Sequence, residues 1–288
     1  MASSVLVTGA NSGIGLATAL ELAAAGWQVH GSVRTAEKAD LVAEAAGERG
    51  LTVSTVLLDV DDADSCAQAV AEVEERSGGL TALVNNAGYA QSGSVEDVPD
   101  ELVRRQLETN LVAPARLARL VLPGMRERGA GRIVNVSSVA GRLSTPLMGW
   151  YCASKHGLEA ITDALRMEVE RDGVRVVLVE PGMFGTDVWS AAKEGGFPAP
   201  TSARYAAAYA RAESLAARSE RLPDPVWVAR TVRLALSNPV PLARYVVGAD
   251  AVGGLLAEQF VPTVLSDYVK AITSGLRRAP LKVPFLPR

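Results

Sequence analysis

The chain has 288 residues and a formal net charge of −3 at pH 7, so it is long enough for one large α/β domain or two small ones and has no basic excess for a nucleic-acid partner. No run approaches the roughly 20 apolar residues that a membrane-spanning helix needs, and the start of the chain has no signal-peptide pattern. The only cysteines are Cys66 and Cys152, which is usual for a reducing compartment, and we expect a cytoplasmic protein.

The first predicted unit is a strand, a glycine-rich turn and a helix. Residues 5–7 are apolar, and an Ala- and Leu-rich helical stretch extends to about residue 25. Between them, Gly9, Gly13 and Gly15 let a dinucleotide diphosphate approach the N-terminus of the helix, where free N–H groups and the helix dipole favour anions. The same glycines would also suit a strand-to-helix turn that binds nothing.

The end of the second predicted strand, residues 27–33, indicates which dinucleotide this turn would hold. NAD binding commonly uses an acidic residue there to accept hydrogen bonds from the adenosine ribose, whereas an arginine suits a 2′-phosphate. This chain has Arg34 at that point and Lys38 about one turn further on. We therefore predict NADP(H) in preference to NAD(H), although Arg34 could also be a solvated loop charge.

The third and fourth predicted strands end in polar and small residues. Asp59 follows residues 53–58 and could accept a hydrogen bond from an adenine amino group or cap the helix that begins at about residue 61. The small residues after the fourth strand would let the backbone lie against a cofactor, and the asparagines there could equally stabilise the turn. That strand, residues 82–84, is followed by Asn85, Asn86, Ala87 and Gly88.

A long helical pattern covers residues 99–125, and the next strand leads to a serine. Pro114 should kink this helix or occupy an irregularity in it. Asn110 also lies within the pattern, where an asparagine is unfavourable by propensity and usually faces solvent. After the buried strand 133–136, Ser138 places a hydroxyl at a strand end, which is where open α/β sheets bind their ligands.

Tyr151 and Lys155 are four residues apart at the start of a helical pattern that continues to about residue 171. On a helix, both side chains would project from one face, with the ammonium close to the phenol. A neighbouring cation stabilises a phenolate and lowers the pKa of the phenol, which makes it a usable acid or base nearer neutral pH. The spacing therefore predicts an acid/base pair.

The remaining chain predicts two further strands, residues 174–179 and 245–248, and helices at about residues 191–221 and 224–236. The alternating pattern predicts one domain, residues 1–288, with an α/β fold: a Rossmann-like, doubly wound parallel sheet of about seven strands with helices on both faces. We expect residues 190–288 to include a helical lid over a substrate pocket and a C-terminal extension. Its basic, proline-rich end could pack, stay mobile, or contact a membrane surface or another subunit.

Six of these features, in this order and spacing, resemble the short-chain dehydrogenase/reductases over roughly residues 3–250. The stretch 133–168 is most similar to the branch of hydroxysteroid and retinol dehydrogenases. The features are the glycine turn 8–15, the Asn-Asn-Ala-Gly run 85–88, Asn110, Ser138, the Tyr-Cys-Ala-Ser-Lys run 151–155 and the stretch 181–186.

The resemblance implies roles for individual residues. Tyr151 would be the general acid/base, Lys155 would lower its pKa and hold the nicotinamide ribose, and Ser138 would hydrogen-bond the substrate oxygen. Asn110 would keep a water in line with Lys155, and Arg34 would hold the 2′-phosphate. The cofactor would be contacted by Gly9, Asn11, Ser12, Gly13, Ile14, Gly15, Arg34, Asp59, Val60, Asn86, Ala87, Gly88, Tyr151, Lys155, Pro181, Gly182 and Thr186.

One departure from the family pattern bears on the cofactor. Many NADP-dependent members also carry a basic residue in the glycine turn, where this chain has Asn11 and Ser12. We expect no metal site. The resemblance also implies a homodimer or homotetramer.

The expected substrate is a hydrophobic ketone or secondary alcohol, because the residues after the strand ends are mostly apolar. The predicted walls are Leu143, Met148, Met183, Phe184 and Trp189, with Ala140, Thr145, Tyr205 and Tyr209 as further candidates. Arg142 could pair with an acidic group on the substrate or be a solvated loop charge. Two other functions remain open: a lyase, epimerase or cyclase without net redox change, and an NADP(H)-binding regulatory protein.

Overall fold

The structure, a computed structural model, describes residues 3–186, Pro198 and residues 202–216 and 222–277. In these residues, seven strands pair in parallel in the order β3-β2-β1-β4-β5-β6-β7. The strands are β1 (Ser4–Val7), β2 (Gln28–Val33), β3 (Ser54–Leu57), β4 (Ala82–Asn85), β5 (Gly131–Val136), β6 (Val174–Pro181) and β7 (Arg244–Val247).

Helices connect these strands and cover both faces of the sheet. Those described are α1 (Gly13–Ala24), α2 (Ala36–Gly47), α3 (Ala63–Ser77), α4 (Asp100–Leu107), α5 (Ala113–Glu127), α6 (Gly149–Glu168), α7 (Ala206–Ala216), α8 (Val226–Ser237), α9 (Ala249–Phe260) and α10 (Thr263–Thr273). The predicted fold class, a doubly wound parallel sheet of about seven strands, is confirmed.

The strand sequences are apolar on both faces because helices pack on both faces. In β1, Val5 and Val7 pack with α1, α2 and α8, and Leu6 between them packs with α3 and α5 on the other side. All three side chains are fully buried. Successive side chains of a strand point to opposite faces, so a short apolar run fills both cores at once.

The order of the strands shows where a ligand would bind at the edge of the sheet. The chain moves outward from β1 through β2 to β3, then returns to the other side of β1 at β4. The connections leave a crevice at this reversal, beyond the carboxyl ends of β1 and β4. The glycine turn follows β1 and the Asn85–Gly88 run begins at the end of β4, so both are brought to this crevice.

The helical pattern at residues 99–125 is not one kinked helix. A π-helical turn, Glu108–Val112, separates α4 from α5. Pro114 lies in the first turn of α5, where a missing N–H costs little. The irregularity that the sequence predicted is therefore the π turn, and it contains Asn110.

The C-terminal part of the chain adds α8, β7, α9 and α10. The predicted helical region 191–221 is described in part, as α7, and the basic tail beyond residue 277 lies outside the described residues. Among the helices that the structure describes, none is both long and apolar enough to cross a bilayer.

A buried group of charges fixes the last strands of the sheet. Glu180, near the end of β6, is fully buried, and its Oε1 lies 3.1 Å from Nε of Arg244 at the start of β7. Arg244 also pairs with Glu159 at 3.0 Å and with Asp163 at 2.5 Å, both on α6. Burial and the nearby Glu159 raise the pKa of Glu180, and Arg142 and Arg244 oppose that rise. Arg244 therefore holds three carboxylates from two elements together.

We predict that Arg244→Leu lowers the free energy of unfolding by ~3 kcal/mol, because it leaves buried carboxylates facing each other without their cation. Arg126→Leu, which breaks a surface pair with Asp172, should cost less than ~1 kcal/mol. Urea unfolding followed by circular dichroism measures both values. Equal losses in the two variants would contradict the role given to Arg244.

Candidate active site

A cavity of about 1180 Å³ lies along the carboxyl edge of the sheet. It runs from the end of β3 to the end of β6, so it is large enough for a dinucleotide and a second molecule. All of the predicted cofactor residues line it: Gly9, Asn11, Ser12, Gly13, Ile14, Gly15, Arg34, Asp59, Val60, Asn86, Ala87, Gly88, Tyr151, Lys155, Pro181, Gly182 and Thr186. Whether each contacts a cofactor stays a prediction.

The glycine turn closes tightly on the end of β4. A Cβ atom at Gly15 would collide with the carbonyl oxygen of Gly9 and lie 2.5 Å from Nδ2 of Asn86. Gly9 itself has a φ of 65°, in the left-handed region that favours glycine. The Asn86 amide donates to the carbonyl of Thr8 at 2.8 Å, and the Thr8 hydroxyl accepts from the N–H groups of Asn86 and Ala87 at 2.9 Å each. Asn86 therefore braces the turn in addition to lining the cavity.

The start of α1 forms an anion-binding end of the cavity. Ser12 is the N-cap residue, and its side chain makes no capping hydrogen bond. The N–H groups of Gly13, Ile14 and Gly15 belong to the first turn, which has no partners within the helix. All four residues line the cavity. A diphosphate fits this turn, because its glycines leave room for close approach and the helix dipole favours its charge.

The end of β2 supplies positive charge. Arg34 is exposed, and Arg34 and Lys38 both line the cavity. Neither forms an ion pair or a side-chain hydrogen bond with a described residue. Two cations beside the adenosine end suit a 2′-phosphate, so the observed residues fit NADP(H).

Asp59 does not cap the following helix. Its carboxylate accepts from the N–H of Asp61 at 3.1 Å, and the N-cap of α3 is Asp62, which accepts from the N–H of Ser65 at 2.9 Å. The capping alternative for Asp59 is therefore wrong. Its possible contact with adenine stays a prediction, supported by its place on the cavity wall.

Tyr151 lies in the first turn of α6 and is 7 % exposed. Burial raises the pKa of its phenol to about 12, and a hydrogen bond with the Ser138 hydroxyl acts in the opposite direction. Ser138 also accepts from the N–H of Ala140 at 3.1 Å, which fixes its side chain at the end of β5. The phenol is therefore protonated at neutral pH and sits beside a hydroxyl on the cavity wall.

Lys155 occupies the next turn of α6 and is also buried. Its Nζ donates to the carbonyl of Val136 at 2.9 Å and lies 6.0 Å from the centroid of the Tyr151 ring. Burial lowers the pKa of Lys155 to about 8, and Glu159 opposes that change. Burial of the phenol dominates in this structure, so the Tyr151 pKa is raised and not lowered, and the effect of Lys155 on it stays a prediction.

Asn110 is fully buried, so it does not face solvent as an asparagine within a helix usually does. Its Nδ2 donates to the carbonyl of Tyr89 at 2.9 Å and to the hydroxyl of Ser154 at 3.1 Å, and its Oδ1 accepts from the N–H of Tyr89 at 3.1 Å. The Ser154 hydroxyl in turn donates to the carbonyl of Tyr151 at 2.7 Å. Asn110 therefore braces the loop after β4 against α6, and its water-holding role stays a prediction.

The loop between Ser138 and Tyr151 is held in a strained conformation. Leu147 has a φ of 64°, which is unfavourable for a residue with a side chain. Its carbonyl accepts from the N–H of Gly93 at 2.8 Å, and it packs with Ala208 and Tyr209 of α7. Such strain persists only where surrounding contacts impose it. α7 therefore supports this loop from behind.

Tyr205 and Tyr209 do not line the cavity, which corrects their place among the candidate walls. The Tyr209 hydroxyl donates to Oδ2 of Asp97 at 2.8 Å and accepts from the N–H of Ser94 at 2.9 Å. The Tyr205 hydroxyl donates to Oε1 of Glu96 at 2.5 Å. Tyr209 of α7 and Tyr205, which directly precedes that helix, tie this region to the loop after β4.

The other predicted substrate residues lie where the sequence placed them, with one exception. Leu143, Met148, Met183 and Phe184 line the cavity, and Trp189 lies outside the described residues. Arg142 is paired with Glu180, with Nη1 and Oε2 3.3 Å apart, and is absent from the wall of this cavity. Arg142 is exposed, as expected of a solvated loop arginine, and it also pairs with a buried carboxylate of the same chain, so the alternative of a partner for the substrate is not supported.

Several lining residues were not predicted, among them Tyr89, Gln91, Arg105, Thr109 and Asp250. Gln91 is three residues past Gly88, and Asp250 is three residues past the end of β7. Their positions shortly after strand ends were the sequence signal that could have identified them. Arg105 and Thr109 lie on a helix face and in the π turn, and no local pattern distinguishes them from surface residues.

Comparison with known proteins finds relatives over most of the chain. A family model described as short chain dehydrogenase matches residues 3–196. The NADPH-dependent 3-dehydrocapnine reductase of Ornithobacterium rhinotracheale is 36 % identical over 271 residues, which are 92 % of this chain and 94 % of that protein. Human retinol dehydrogenase 5 is 35 % identical over 283 residues, with 92 % and 86 % covered.

A solved structure extends the comparison to three dimensions. A variant of the actinorhodin polyketide ketoreductase with NADPH has a TM-score of 0.73 and 33 % identity, covering 88 % of this chain and 97 % of that one. Likeness at this level shows that the two chains share one fold.

We predict that the free energy of unfolding of the native chain, minus that of the Lys155→Met variant, rises with pH. The lowered pKa means that the folded chain holds this proton less tightly than the unfolded chain. Burial of the charged ammonium therefore lowers the free energy of unfolding of the native chain by its full amount below pH 8, and this loss disappears as the pH rises toward 10.5. The gain should reach roughly 3 kcal/mol over this window. Urea unfolding of both proteins at pH 7, 8.5 and 10 measures it. A difference that is constant or falls with pH would refute buried cationic Lys155.

Proposed function

Because this chain belongs to the short-chain dehydrogenase/reductase family, we propose that it reduces a hydrophobic ketone to a secondary alcohol with NADPH, or catalyses the reverse oxidation. The family gives the enzyme class directly: an oxidoreductase that interconverts CH–OH and C=O groups with NAD(P). The choice of NADPH and the hydrophobic substrate are the parts proposed here.

One observation carries the proposal. Ser138, Tyr151 and Lys155 converge at one end of a cavity whose other end contains a helix N-terminus and two cations. The first end offers a proton donor, a hydrogen-bond donor and a buried ammonium. The second end suits a diphosphate and a 2′-phosphate. Both ends are needed for a nicotinamide-dependent reduction, and they share one cavity.

The residues of the chain supply a proton and hold the charge that develops on the substrate oxygen. The Tyr151 phenol, with a pKa of about 12, is protonated at neutral pH. It is acidic enough to give its proton to the substrate oxygen once that oxygen has the charge of an alkoxide. The Ser138 hydroxyl donates a hydrogen bond to the same oxygen and stabilises its charge. The Lys155 ammonium stabilises the phenolate that remains.

A bound nicotinamide would supply the hydride, and the protein contributes position, a proton and the exclusion of water. Ser12, Ile14 and Gly15 would hold the diphosphate, and Arg34 with Lys38 would hold the 2′-phosphate. Lys155 lies near the end of β5, where it would also reach the nicotinamide ribose. In oxidation the same groups act in reverse, and Tyr151 accepts the proton.

NADPH is supported by charge and by likeness. Arg34 takes the place where an acidic residue would favour NAD, and Lys38 adds a second cation on the wall. The O. rhinotracheale relative is named as NADPH-dependent, and the ketoreductase variant was solved with NADPH. Glycine-turn residues Asn11 and Ser12 add no charge, so the preference rests on the end of β2.

A ketone with a substantial apolar part is supported by the walls near Tyr151. Leu143, Met148, Met183 and Phe184 surround this end of the cavity, which would bury an alkyl or ring system. Two of the proteins to which this chain is similar are named as a 3-dehydrocapnine reductase and a polyketide ketoreductase. The homodimer or homotetramer stays a prediction, and light scattering after size exclusion would measure the assembly. The cytoplasmic location also stays a prediction.

We predict that Tyr151→Phe loses at least about 100-fold in kcat for ketone reduction, because the general acid is removed. NADPH binding should change little, since the ring and its packing remain. Stopped-flow NADPH oxidation at 340 nm with a ketone panel measures the rate, and NADPH fluorescence titration measures binding. Tyr268→Phe, a change outside the cavity, is the control.

Turnover of Tyr151→Phe at the native rate would contradict the proposed mechanism. Conversion of a substrate by the native chain with no net change at 340 nm would instead favour a lyase, epimerase or cyclase. NADPH binding without conversion of any substrate would favour a regulatory protein.

We predict that Arg34→Ala lowers kcat/KM for NADPH by roughly 10- to 100-fold and leaves kcat/KM for NADH unchanged, because only the 2′-phosphate loses a charged hydrogen bond. Steady-state kinetics with each cofactor measures the ratio. Arg49→Ala, which removes an exposed arginine outside the cavity, should leave both values unchanged. Equal losses with NADPH and NADH would disprove the role of Arg34.

A further inference from the structure

Gln91 is a buried polar residue on the wall of the cavity that the mechanism does not use. It lies on the loop after β4, is 7 % exposed and lines the cavity. Its backbone N–H donates to Oε1 of Gln106 at 2.5 Å, and Gln106 is fully buried. The backbone at Gln91 is therefore fixed from below by a second amide.

The side-chain amide of Gln91 is half satisfied. Its Nε2 donates to the carbonyl of Ser92 at 3.1 Å. A carbonyl oxygen can only accept, so this contact settles which amide atom is the nitrogen. Oε1 has no hydrogen-bond partner among the residues that the structure describes. Oε1 is not among the buried unpartnered atoms of the described residues, so it keeps accessible surface, and the cavity that Gln91 lines is where a hydrogen-bond donor can reach it.

Neighbouring contacts place Gln91 at the reactive end. The Ser92 hydroxyl donates to Sδ of Met148 at 3.3 Å, and the N–H of Gly93 donates to the carbonyl of Leu147 at 2.8 Å. Met148 lines the cavity three residues before Tyr151. The loop that carries Gln91 is thus fastened to the loop that leads to the catalytic phenol.

The charges at this end exclude one class of substrate. Asp250 lines the cavity, and its Oδ2 accepts from the N–H of Met183 at 2.7 Å. The cation at the same end is Lys155, which is committed to Val136 and to the chemistry. Arg142 is paired with Glu180. A carboxylate or phosphate beside the ketone would meet Asp250, and Arg105, a further arginine on the cavity wall, lies over the ring of Tyr89, 5.9 Å from its centroid.

We propose that Gln91 is a specificity-determining residue that selects ketones carrying a hydrogen-bond donor, a hydroxyl or amino group, near the carbonyl, and that Asp250 disfavours anionic ones. Oε1 of Gln91 accepts the hydrogen bond from this donor. The inference rests on the proposed function, because it names the substrate class of the same site. A donor-bearing substrate pairs with this amide oxygen, whereas a plain ketone covers it and leaves it unpaired.

The test compares four matched probes in steady-state NADPH oxidation: dodecan-3-one, its 2-hydroxy and 2-amino derivatives, and 3-oxododecanoate. The native chain should prefer the hydroxy and amino ketones to dodecan-3-one by about 10- to 100-fold in kcat/KM, the cost of one unpaired buried acceptor. The 3-oxo acid should be the poorest substrate. Asp250→Asn should improve the acid relative to dodecan-3-one.

Gln91→Leu should remove this preference by lowering kcat/KM for the donor-bearing ketones to the level of dodecan-3-one, whose own value should not fall. Gln91→Met, which keeps the length of the side chain, should do the same and guards against misfitting of leucine. Gln68→Leu, the same change at an exposed glutamine of α3 outside the cavity, should retain the preference. Thermal unfolding checks that each variant folds.

Equal use of plain and donor-bearing ketones by the native chain overturns the inference and leaves the proposed function intact. A preference that survives in both Gln91 variants also overturns it, because another group must then bind the donor. Failure of the native chain to reduce any of the four ketones contradicts the proposed function itself, and the inference falls with it.

Discussion

The contact between the Lys155 ammonium and the carbonyl of Val136 is the constraint on which the rest of the site depends. It fastens α6 to the end of β5, so Tyr151 on the helix and Ser138 after the strand face the same space. The charge that makes this contact is buried at a cost, and burial lowers the pKa of Lys155 to about 8. Such destabilised groups are usual at sites that bind and transform a ligand.

The second constraint is the close approach of β1 and β4. Gly15 leaves no room for a side chain against Gly9, and Asn86 bridges the same turn through Thr8. The N-terminus of α1 is thereby aimed at the crevice where the strand order reverses. The sheet therefore sets the distance between the anion-binding end and the proton donor.

Loops supported from behind determine what fits between these ends. The loop after β4 is fixed by Asn110 at one point and by Tyr209 at another, and it holds the strained Leu147 and the adjoining Met148. Gln91 stands on this loop with one amide atom unpaired by described residues. The proposed catalytic residues are thus held by a strand and a helix, β5 and α6, whereas the residues proposed to select the substrate lie on loops.

The sheet, the glycine turn and the Ser138, Tyr151 and Lys155 group could be predicted from the sequence, because periodic burial and short spacings are local properties. Four features became apparent only in the folded chain: Asn110 braces a loop, Arg142 pairs with Glu180, Tyr209 supports the wall instead of forming it, and the pKa of the Tyr151 phenol rises. Each of these depends on partners tens of residues away or on burial, and a linear pattern contains neither.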